Sequence, residues 1–424
     1  MTEDLAMDQN AILEPLAYHK KLRDHLKSRK KTWQWFKDEK VKTQQVESFK
    51  KDLLKNTYRL DQDSHSSLYN IAKEICNVLN IDAQVIFYQE NNSIQLNASI
   101  SILEKEAHIV FSGNILQLLD DRQLKALVAH ELSHYLFFKI EDGDFEVTQR
   151  IVLALANDSR SEDSIIETAR IFQLYLELFC DAGAFKACRE HYSVIQMLIK
   201  LNTGLTEVNA QSYLDQAKEI ISQEEESTNQ TTHPESYIRS IALDLKARKE
   251  KDYEEKLHQL IEGKWDINSL DIFEQEATRK LTLNFIQLIL KPQWMNSAAV
   301  TNHAQQYFSE FKRSVEVDIS TLSYRDKHGI NFLSEKLKHT TPSTKSFLCY
   351  VLLDFSRIDS ALEKLPLAHT LEIAELLELR EDYERILRKE LKLTIRDFKK
   401  LQEEAMADLS NVTENQENSM YDDE

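Results

Sequence analysis

Two histidines and a glutamate form the part of this sequence best suited to chemistry. His130, Glu131 and His134 make an H-E-x-x-H sequence inside a stretch whose apolar residues recur at helical spacing. Side chains four residues apart lie on one face of a helix, so the two imidazoles can point at a single metal ion. Glu131 can reach a metal-bound water without being a ligand. Because polar residues on an apolar helix are costly to bury without a partner, the pattern predicts one Zn²⁺ per chain.

A zinc ion held by two histidines needs a third protein ligand, and a catalytic zinc keeps one position open. The candidate is Glu177, an isolated carboxylate on a nearly all-apolar helix over residues 165–188, with Asp181 one turn further on. Two carboxylates four residues apart repel each other unless a cation or protonation relieves them, and zinc at the histidine pair supplies that cation. The alternative is that Glu177 faces solvent at the helix edge.

These motifs, taken in order, resemble the M48 metallopeptidases, the family of the CAAX prenyl protease, HtpX and BepA. The resemblance covers about residues 60–246. It includes the E-x-x-x-D sequence at 177–181, an H-P-x-x-x-x-R stretch at 233–239 and an Asn-Ala pair at 97–98. Two departures are Ser133, where Gly is commoner, and Cys180, where Ala precedes the Asp. Both residues are small.

The resemblance implies a zincin-like domain and a zinc-dependent metalloendopeptidase. Its metal ligands would be His130, His134 and Glu177, with Glu131 as the general base that removes a proton from the attacking water. Asp181 would lie behind the ligands and orient a histidine ring. His233 and Arg239 would donate to the developing oxyanion or hold the two carboxylates, and Asn97 and Ala98 would bind substrate along an edge strand.

The secondary structure around these residues is mainly helical with a small β-sheet, an α+β fold. Asp120 and Gln123 can form a reciprocal cap, so the helix with the two histidines is expected from about Asp121. Three β-prone runs precede it, at residues 84–88, 94–102 and 107–112. Residues 141–164 separate the two helices that carry the ligands and form either a lid or a plain connecting helix.

Composition limits the class of protein. The chain has 424 residues and a net charge of −18, which argues against general nucleic-acid binding. Four cysteines form no C-x-x-C pair and no disulfide framework, so reduced thiols and a cytoplasmic location are expected. No run of eighteen apolar residues occurs, so no transmembrane segment is predicted.

Five segments are predicted along the chain. Residues 1–59 form a basic helical segment with Trp33, Trp35 and Phe36, which either binds an anionic membrane or acidic partner or packs on the acidic main domain. Residues 60–250 form the peptidase-like domain, 251–340 a helical region and 406–424 an acidic disordered tail. Residues 341–405 form a helical module that faintly resembles TerB-like domains and is a candidate site for a protein partner.

Two functions from different classes remain open. The first is a peptidase acting on peptide or protein substrates. The second is a stress-response or interaction scaffold with a structural zinc site, or with its activity held off. A fourth protein ligand on zinc, for instance His233, would favour the second function.

Overall fold

The computed structural model describes residues 12–38, 43–91, 93–223, 227–228, 230–311 and 327–421. The chain divides into two compact units, residues 1–263 and 264–424. Residues 1–11 of the predicted N-terminal segment and residues 422–424 of the predicted tail lie outside the described residues. The fold is mainly helical with one small sheet, which confirms the predicted α+β class.

Twelve helices lie in the described part of the first unit. They are α1 (Ala17–Ser28), α2 (Lys30–Asp38), α3 (Thr43–Asn56), α4 (Ser66–Leu79), α5 (Ile115–Leu118), α6 (Asp121–Lys139), α7 (Asp144–Ala156), α8 (Asp163–Cys188), α9 (Tyr192–Thr203), α10 (Ala210–Gln223), α11 (Ser236–Ala247) and α12 (Tyr253–Ile261). A 3₁₀ turn, Ile140–Gly143, joins α6 to α7. Leu257 and Ile261 of α12 are buried, and α12 packs on α8 and α11, so the unit extends beyond the predicted limit at residue 250.

The sheet has four strands in the order β1-β2-β4-β3. They are β1 (Thr57–Arg59), β2 (Gln84–Glu90), β3 (Asn97–Leu103) and β4 (Glu106–Ser112). Strands β2 and β4 pair in parallel, whereas β3 and β4 form an antiparallel hairpin. Within the described ranges, strand β3 pairs with β4 alone, so it is an edge strand of this sheet.

Two strand boundaries differ from the sequence prediction. Strand β1 falls inside the segment predicted to be helical, because residues 57–59 pair with β2, which a local pattern does not reveal. Strand β3 begins at Asn97 rather than at Ile94, whose side chain is 96% exposed.

Helix α6 is the central element of the first unit. It packs against α4, α8, α9 and strand β3, and its apolar residues join the main hydrophobic core. The capping box predicted at its start is present, since Asp120 accepts from the Gln123 amide and the Gln123 side chain accepts from the Asp120 amide. The Tyr135 hydroxyl donates to the carbonyl oxygens of Asp82 and Glu104, which fixes the helix to the end of the sheet.

Helices α6 and α8 are in close contact at Ser133 and Gly183. A Cβ atom added to Gly183 would lie 2.0 Å from Ser133 Oγ, so only a glycine fits on α8 opposite this serine. Ser133 Oγ donates to the Ala129 carbonyl and therefore stays within its own helix. This close approach brings the polar residues of the two helices within reach of each other.

The N-terminal helices α1 and α2 pack on the main body of the first unit. The side chain of Asp144, at the start of α7, is buried and accepts from Lys27 and Lys37. These two cations lower the pKa of Asp144 although burial alone would raise it. Trp33 is buried, whereas Trp35 remains 61% exposed. Residues 1–59 were predicted either to bind a membrane or acidic partner or to pack on the acidic main domain. In the structure, the described part of this segment packs on the main domain.

The described part of the second unit is entirely helical apart from turns and one isolated bridge. Its helices are α13 (Ile272–Ile289), α14 (Ala298–Tyr307), α15 (Lys327–Lys338), α16 (Pro342–Ser356), α17 (Leu365–Leu376), α18 (Arg380–Glu390) and α19 (Ile395–Tyr421). Helix α19 continues through most of the predicted disordered tail. Phe398, Ala405 and Leu409 are buried at helical spacing, which explains why the helix extends past residue 406.

Among the described residues, no helix is both long enough and apolar enough to span a bilayer.

A first prediction concerns the contact between Ser133 and Gly183. The change Gly183→Ala should lower the free energy of unfolding of the first unit by about 1–3 kcal/mol, because the methyl group would overlap Ser133. Adding Ser133→Gly should restore most of this loss. Hydrogen exchange of the α6 and α8 amides, followed by mass spectrometry, reports on this unit alone. If the two substitutions act additively, the double variant will lose as much protection from exchange as both single variants together. That result would contradict a direct contact between Ser133 and Gly183.

A second prediction concerns His19 on α1, which is fully buried. Burial lowers the pKa of His19 to about 3, although its Nε2 bonds to the Phe172 carbonyl. The unfolded chain therefore takes up a proton below pH 6.5 that the folded state does not, and stability falls as the pH falls. Between pH 7 and pH 5, His19→Gln should lose about 2 kcal/mol less stability than the natural protein.

The measurement for His19 is the free energy of unfolding of the first unit at several pH values. His25→Gln is the matched control, because His25 lies on the same helix but is partly exposed, and it should change the pH dependence far less. Equal pH slopes for the natural protein and His19→Gln would show that His19 is not a neutral core histidine.

Candidate metal centre

Helix α6 presents His130 and His134 side by side, as the four-residue spacing predicts. Their ring centroids are 5.2 Å apart, and His130 is buried to 95% while His134 is half-buried. Glu131, between them in sequence, is also buried. The three side chains lie at the wall of a cleft of about 1250 Å³.

Helix α8 brings Glu177 to the two rings. Its Oε2 atom lies 3.3 Å from His130 Nε2, and its Oε1 atom lies 3.7 Å from His134 Nε2. Glu177 is 1% exposed, which excludes the alternative in which it faces solvent. The Oε2 atom is buried and has no hydrogen-bond partner among the residues that the structure describes. A buried carboxylate oxygen without a partner is costly, so this arrangement needs a further cation or donor.

These distances fit a divalent metal ion. Ligand bonds of about 2.0–2.1 Å in tetrahedral geometry separate neighbouring ligand atoms by roughly 3.3 Å, close to the contacts that Glu177 makes with the two rings. Zinc accepts this set of donor atoms, which consists of two imidazole nitrogens and one carboxylate oxygen. The unpartnered Oε2 atom of Glu177 is the atom that such an ion would satisfy.

Asp181 lies behind the histidines, one turn along α8 from Glu177. Its Oδ1 atom is 3.0 Å from His130 Nδ1, so this ring nitrogen can donate to Asp181 while Nε2 points towards Glu177. Arg239 of α11 donates to both oxygens of Asp181, at 2.6 and 2.7 Å. Arg239 therefore holds the carboxylate that orients the ring, and it lies 3.7 Å from Glu177 Oε2.

The pKa values of the site follow from burial and from these contacts. Burial alone would lower the pKa of His130, but its hydrogen bond to Asp181 and the negative charge of Glu177, 3.3 Å away, raise it to about 9. Burial lowers the pKa of His134 to about 4 and raises that of Glu131 to about 7. Burial would raise the pKa of Glu177, yet His130 holds it well below its usual range. Without a metal ion, a proton on His130 thus balances the carboxylate.

Two further predicted residues, Asn97 and Ala98, lie at the start of edge strand β3. Both line the same cleft as the histidines. Lys37 of α2 and Val46 of α3 also line it, so the N-terminal segment forms part of the cleft wall. The side of β3 that faces away from β4 has no strand partner among the described residues.

His233 lies at the edge of this site. Its Nε2 atom is 3.6 Å from Glu177 Oε2, its Nδ1 atom is 3.0 Å from Thr232 Oγ1, and its side chain is 59% exposed. Burial lowers the pKa of His233. The structure thus brings His233 and Arg239 to Glu177 and Asp181, the two carboxylates named for them in the sequence analysis.

Cys180 is part of the site, and the sequence analysis missed it. One ring nitrogen of His130, one of His134 and Cys180 Sγ all lie within 4.8 Å of one another. The sequence contains a signal for this, because Cys180 lies three residues after Glu177 and therefore on the same face of α8.

Comparison with known proteins agrees with this geometry. The profile described as peptidase family M48 matches residues 64–246, which include every site residue described above except Lys37 and Val46. Residues 64–246, which make up less than half of the chain, are thus similar to peptidase family M48. The resemblance stated from the motifs is thereby confirmed for the family, whereas the resemblance of the C-terminal module to TerB-like domains is not tested.

The M48 region is also similar to a curated relative, "Plastoglobule-localized metallopeptidase 48, chloroplastic" from Arabidopsis thaliana. The two are 24% identical over 197 residues, which cover 42% of this chain and 56% of the relative. The matched part thus spans little more than half of the relative's length. No solved structure was found to match the chain.

A third prediction concerns the buried pair of Arg239 and Asp181 in the M48 domain. Changing Arg239→Met in metal-free protein should lower the free energy of unfolding of the first unit by about 3–5 kcal/mol, because it leaves a buried carboxylate without its counter-charge. Arg248→Met is the matched control. Arg248 pairs with Asp244 near the surface, and its loss should cost at most about 1 kcal/mol. Chemical denaturation measures both, and equal losses would contradict the buried role of Arg239.

Proposed function

We propose that this protein is a zinc-dependent metalloendopeptidase. His130, His134 and Glu177 hold one Zn²⁺, and the substrate is a peptide or protein. The observation that supports this best is Glu177, whose two oxygens face the two imidazoles while its Oε2 atom is buried without a hydrogen-bond partner. Similarity of residues 64–246 to peptidase family M48 supports the class of reaction.

The zinc ion, when bound, supplies a Lewis acid that polarises a carbonyl oxygen and lowers the pKa of water. Glu131 is proposed as the general base, which takes a proton from the attacking water and passes it to the leaving amine. Burial raises the pKa of Glu131 to about 7, which suits a group that must both accept and donate a proton near neutral pH.

Asp181 and Arg239 are proposed as positioning residues. Asp181 accepts from His130 Nδ1 and so keeps Nε2 free to face the metal position. Arg239 fixes Asp181 by two hydrogen bonds, which prevents the carboxylate from turning towards the metal itself.

His233 is proposed to donate a hydrogen bond to the oxygen of the scissile carbonyl. Its ring lies at the cleft, is more than half exposed and is not hydrogen-bonded to Glu177 at 3.6 Å. A side chain with this freedom can turn towards a substrate, whereas the buried Arg239 cannot. Donors aimed at a developing oxyanion are worth several kcal/mol of transition-state stabilisation.

The substrate is proposed to bind in an extended form along β3. Asn97 and Ala98 line the cleft, and the outer edge of β3 offers backbone N–H and C=O groups to a further strand. Main-chain pairing would tolerate many side chains, so this mode suits a protease that acts on unfolded segments.

A second candidate function is a protein whose zinc site is closed and whose activity is held off. The observation that favours it is Cys180, which could provide a fourth protein ligand beside the two histidines. A site closed in this way has no position for water.

The location and the partners are also proposals. The described cysteines are free thiols, which suits a reducing compartment such as the cytoplasm. The Arabidopsis relative is by its printed name localised to plastoglobules of the chloroplast, which is said of that protein alone. The helical second unit is a candidate for binding a protein partner.

A fourth prediction tests the role of Glu131. The change Glu131→Gln should leave one bound zinc per chain and lower kcat/KM for an unfolded protein substrate by about 10²–10⁴-fold, because the amide cannot accept the proton. Metal analysis and a peptidase assay inhibited by a chelator and restored by zinc provide the two readouts.

Glu207→Gln is the control for Glu131→Gln, since Glu207 is exposed and lies outside the cleft. This control should keep full activity. If purified Glu131→Gln cleaves as fast as the natural protein, Glu131 is not the base. If no chelator-sensitive cleavage is found in any form, the peptidase function itself is wrong.

A further inference from the structure

Cys180 is a fully buried thiol in contact range of both histidines. It lies on α8 between Glu177 and Asp181, and its exposed fraction is 0%. Its Sγ atom and one nitrogen of each imidazole lie within 4.8 Å of one another. The neighbouring Glu177 Oε2 atom, buried without a hydrogen-bond partner, independently indicates that this cluster binds a cation.

We propose that Cys180 is a fourth protein ligand that closes the metal site and so holds the enzyme in a latent form. This inference rests on the proposed function, because it requires a divalent ion at His130 and His134. When the ion binds, the S–H bond of Cys180 breaks, the proton leaves to solvent and the sulfur lone pair binds the metal. No oxidant or reductant takes part in this step.

The charges of the cluster support this coordination. Two neutral imidazoles, the Glu177 carboxylate, a Cys180 thiolate and a divalent ion together carry no net charge. Asp181 and Arg239 form a second neutral pair beside them. With Glu177 as the only anionic ligand and Glu131 protonated, the buried set would carry one positive charge, which is unfavourable in a low-dielectric interior.

The geometry requires only a small adjustment. Sulfur and nitrogen ligands of one tetrahedral zinc are separated by roughly 3.5 Å, given bonds of about 2.3 and 2.0 Å. Separations of up to 4.8 Å therefore have to shorten by as much as about 1.3 Å. Thiolate favours zinc and cobalt over hard cations such as magnesium, so Cys180 would also select the metal.

An open form arises when Cys180 leaves the metal and water takes its position. His130, His134 and Glu177 would still hold the ion in that form. The helix spacing allows this, because Glu177 and Cys180 are three residues apart and reach the site independently. The same site then has one state with four protein ligands and one with three.

Cobalt substitution tests the proposal without measuring activity. The full-length protein is freed of metal with a chelator and loaded with one equivalent of Co²⁺, and its absorption spectrum is recorded. A thiolate ligand gives a charge-transfer band in the near ultraviolet, whereas visible bands report the metal in any tetrahedral site. We expect both features in the natural protein.

Two variants test whether the charge-transfer band comes from the Cys180 thiolate. Cys180→Ala should still bind Co²⁺ and show visible bands but no charge-transfer band, and its affinity for Zn²⁺ should fall by at least about 10–100-fold. Cys188→Ala is the matched control on the same helix. Cys188 is outside the cluster, so the band should remain. Cys180→Ser provides a second variant that keeps the volume of the side chain if the alanine variant does not fold.

The cobalt experiment distinguishes coordination by Cys180 from the existence of the metal centre. Co²⁺ bound to the natural protein without a charge-transfer band, or a band that persists in Cys180→Ala, would overturn Cys180 as a ligand and leave the three-ligand site intact. Failure of both the natural protein and Cys180→Ala to bind Co²⁺ would overturn the proposed metal centre. A peptidase rate per bound zinc that is higher in Cys180→Ala than in the natural protein would further support latency.

Discussion

The structure of the site depends on one electrostatic constraint, the burial of two carboxylates between α6 and α8. Glu177 and Asp181 are each 1% exposed, and Arg239 neutralises only one of them. One negative charge therefore remains and has to be balanced inside the protein. A proton on His130 can do so, which is why the pKa of His130 rises to about 9. A divalent cation would also balance this charge, because two imidazole nitrogens and a carboxylate oxygen are suitable ligands for it. Its binding would displace the proton from His130.

The rest of the first unit makes this burial possible. The missing side chain of Gly183 lets α8 approach Ser133 of α6, and this close contact sets the distance between the histidines and the acids. On the other side, α1 and α2 cover α7 and α8, with the buried Asp144 held by two lysines. The N-terminal segment carries no proposed metal ligand, but it contributes Lys37 and Val46 to the cleft wall.

Much of the site could be predicted from the sequence because its main signals are local. The H-E-x-x-H spacing places His130 and His134 on one face of a helix, and the cap at Asp120 fixes where that helix begins. Glu177 was identifiable because a lone acid on an apolar helix needs a partner. Strand β1 could not be predicted, since three residues form a strand here only through pairing with β2. The end of helix α19 was predicted to be a disordered tail because its sequence is acidic and polar without an apolar face.

The sequence by itself determined the residue types, their helical faces and the similarity of residues 64–246 to peptidase family M48. Only the tertiary structure decided which side chains meet, because the partners lie on helices that are distant in the chain. His130 and Asp181, and Asp181 and Arg239, come together only when α6, α8 and α11 pack. Cys180 shows the difference most clearly. Its position one residue before Asp181 indicated only a small side chain, whereas the packing of α6 on α8 places its sulfur within 4.8 Å of one nitrogen of each imidazole.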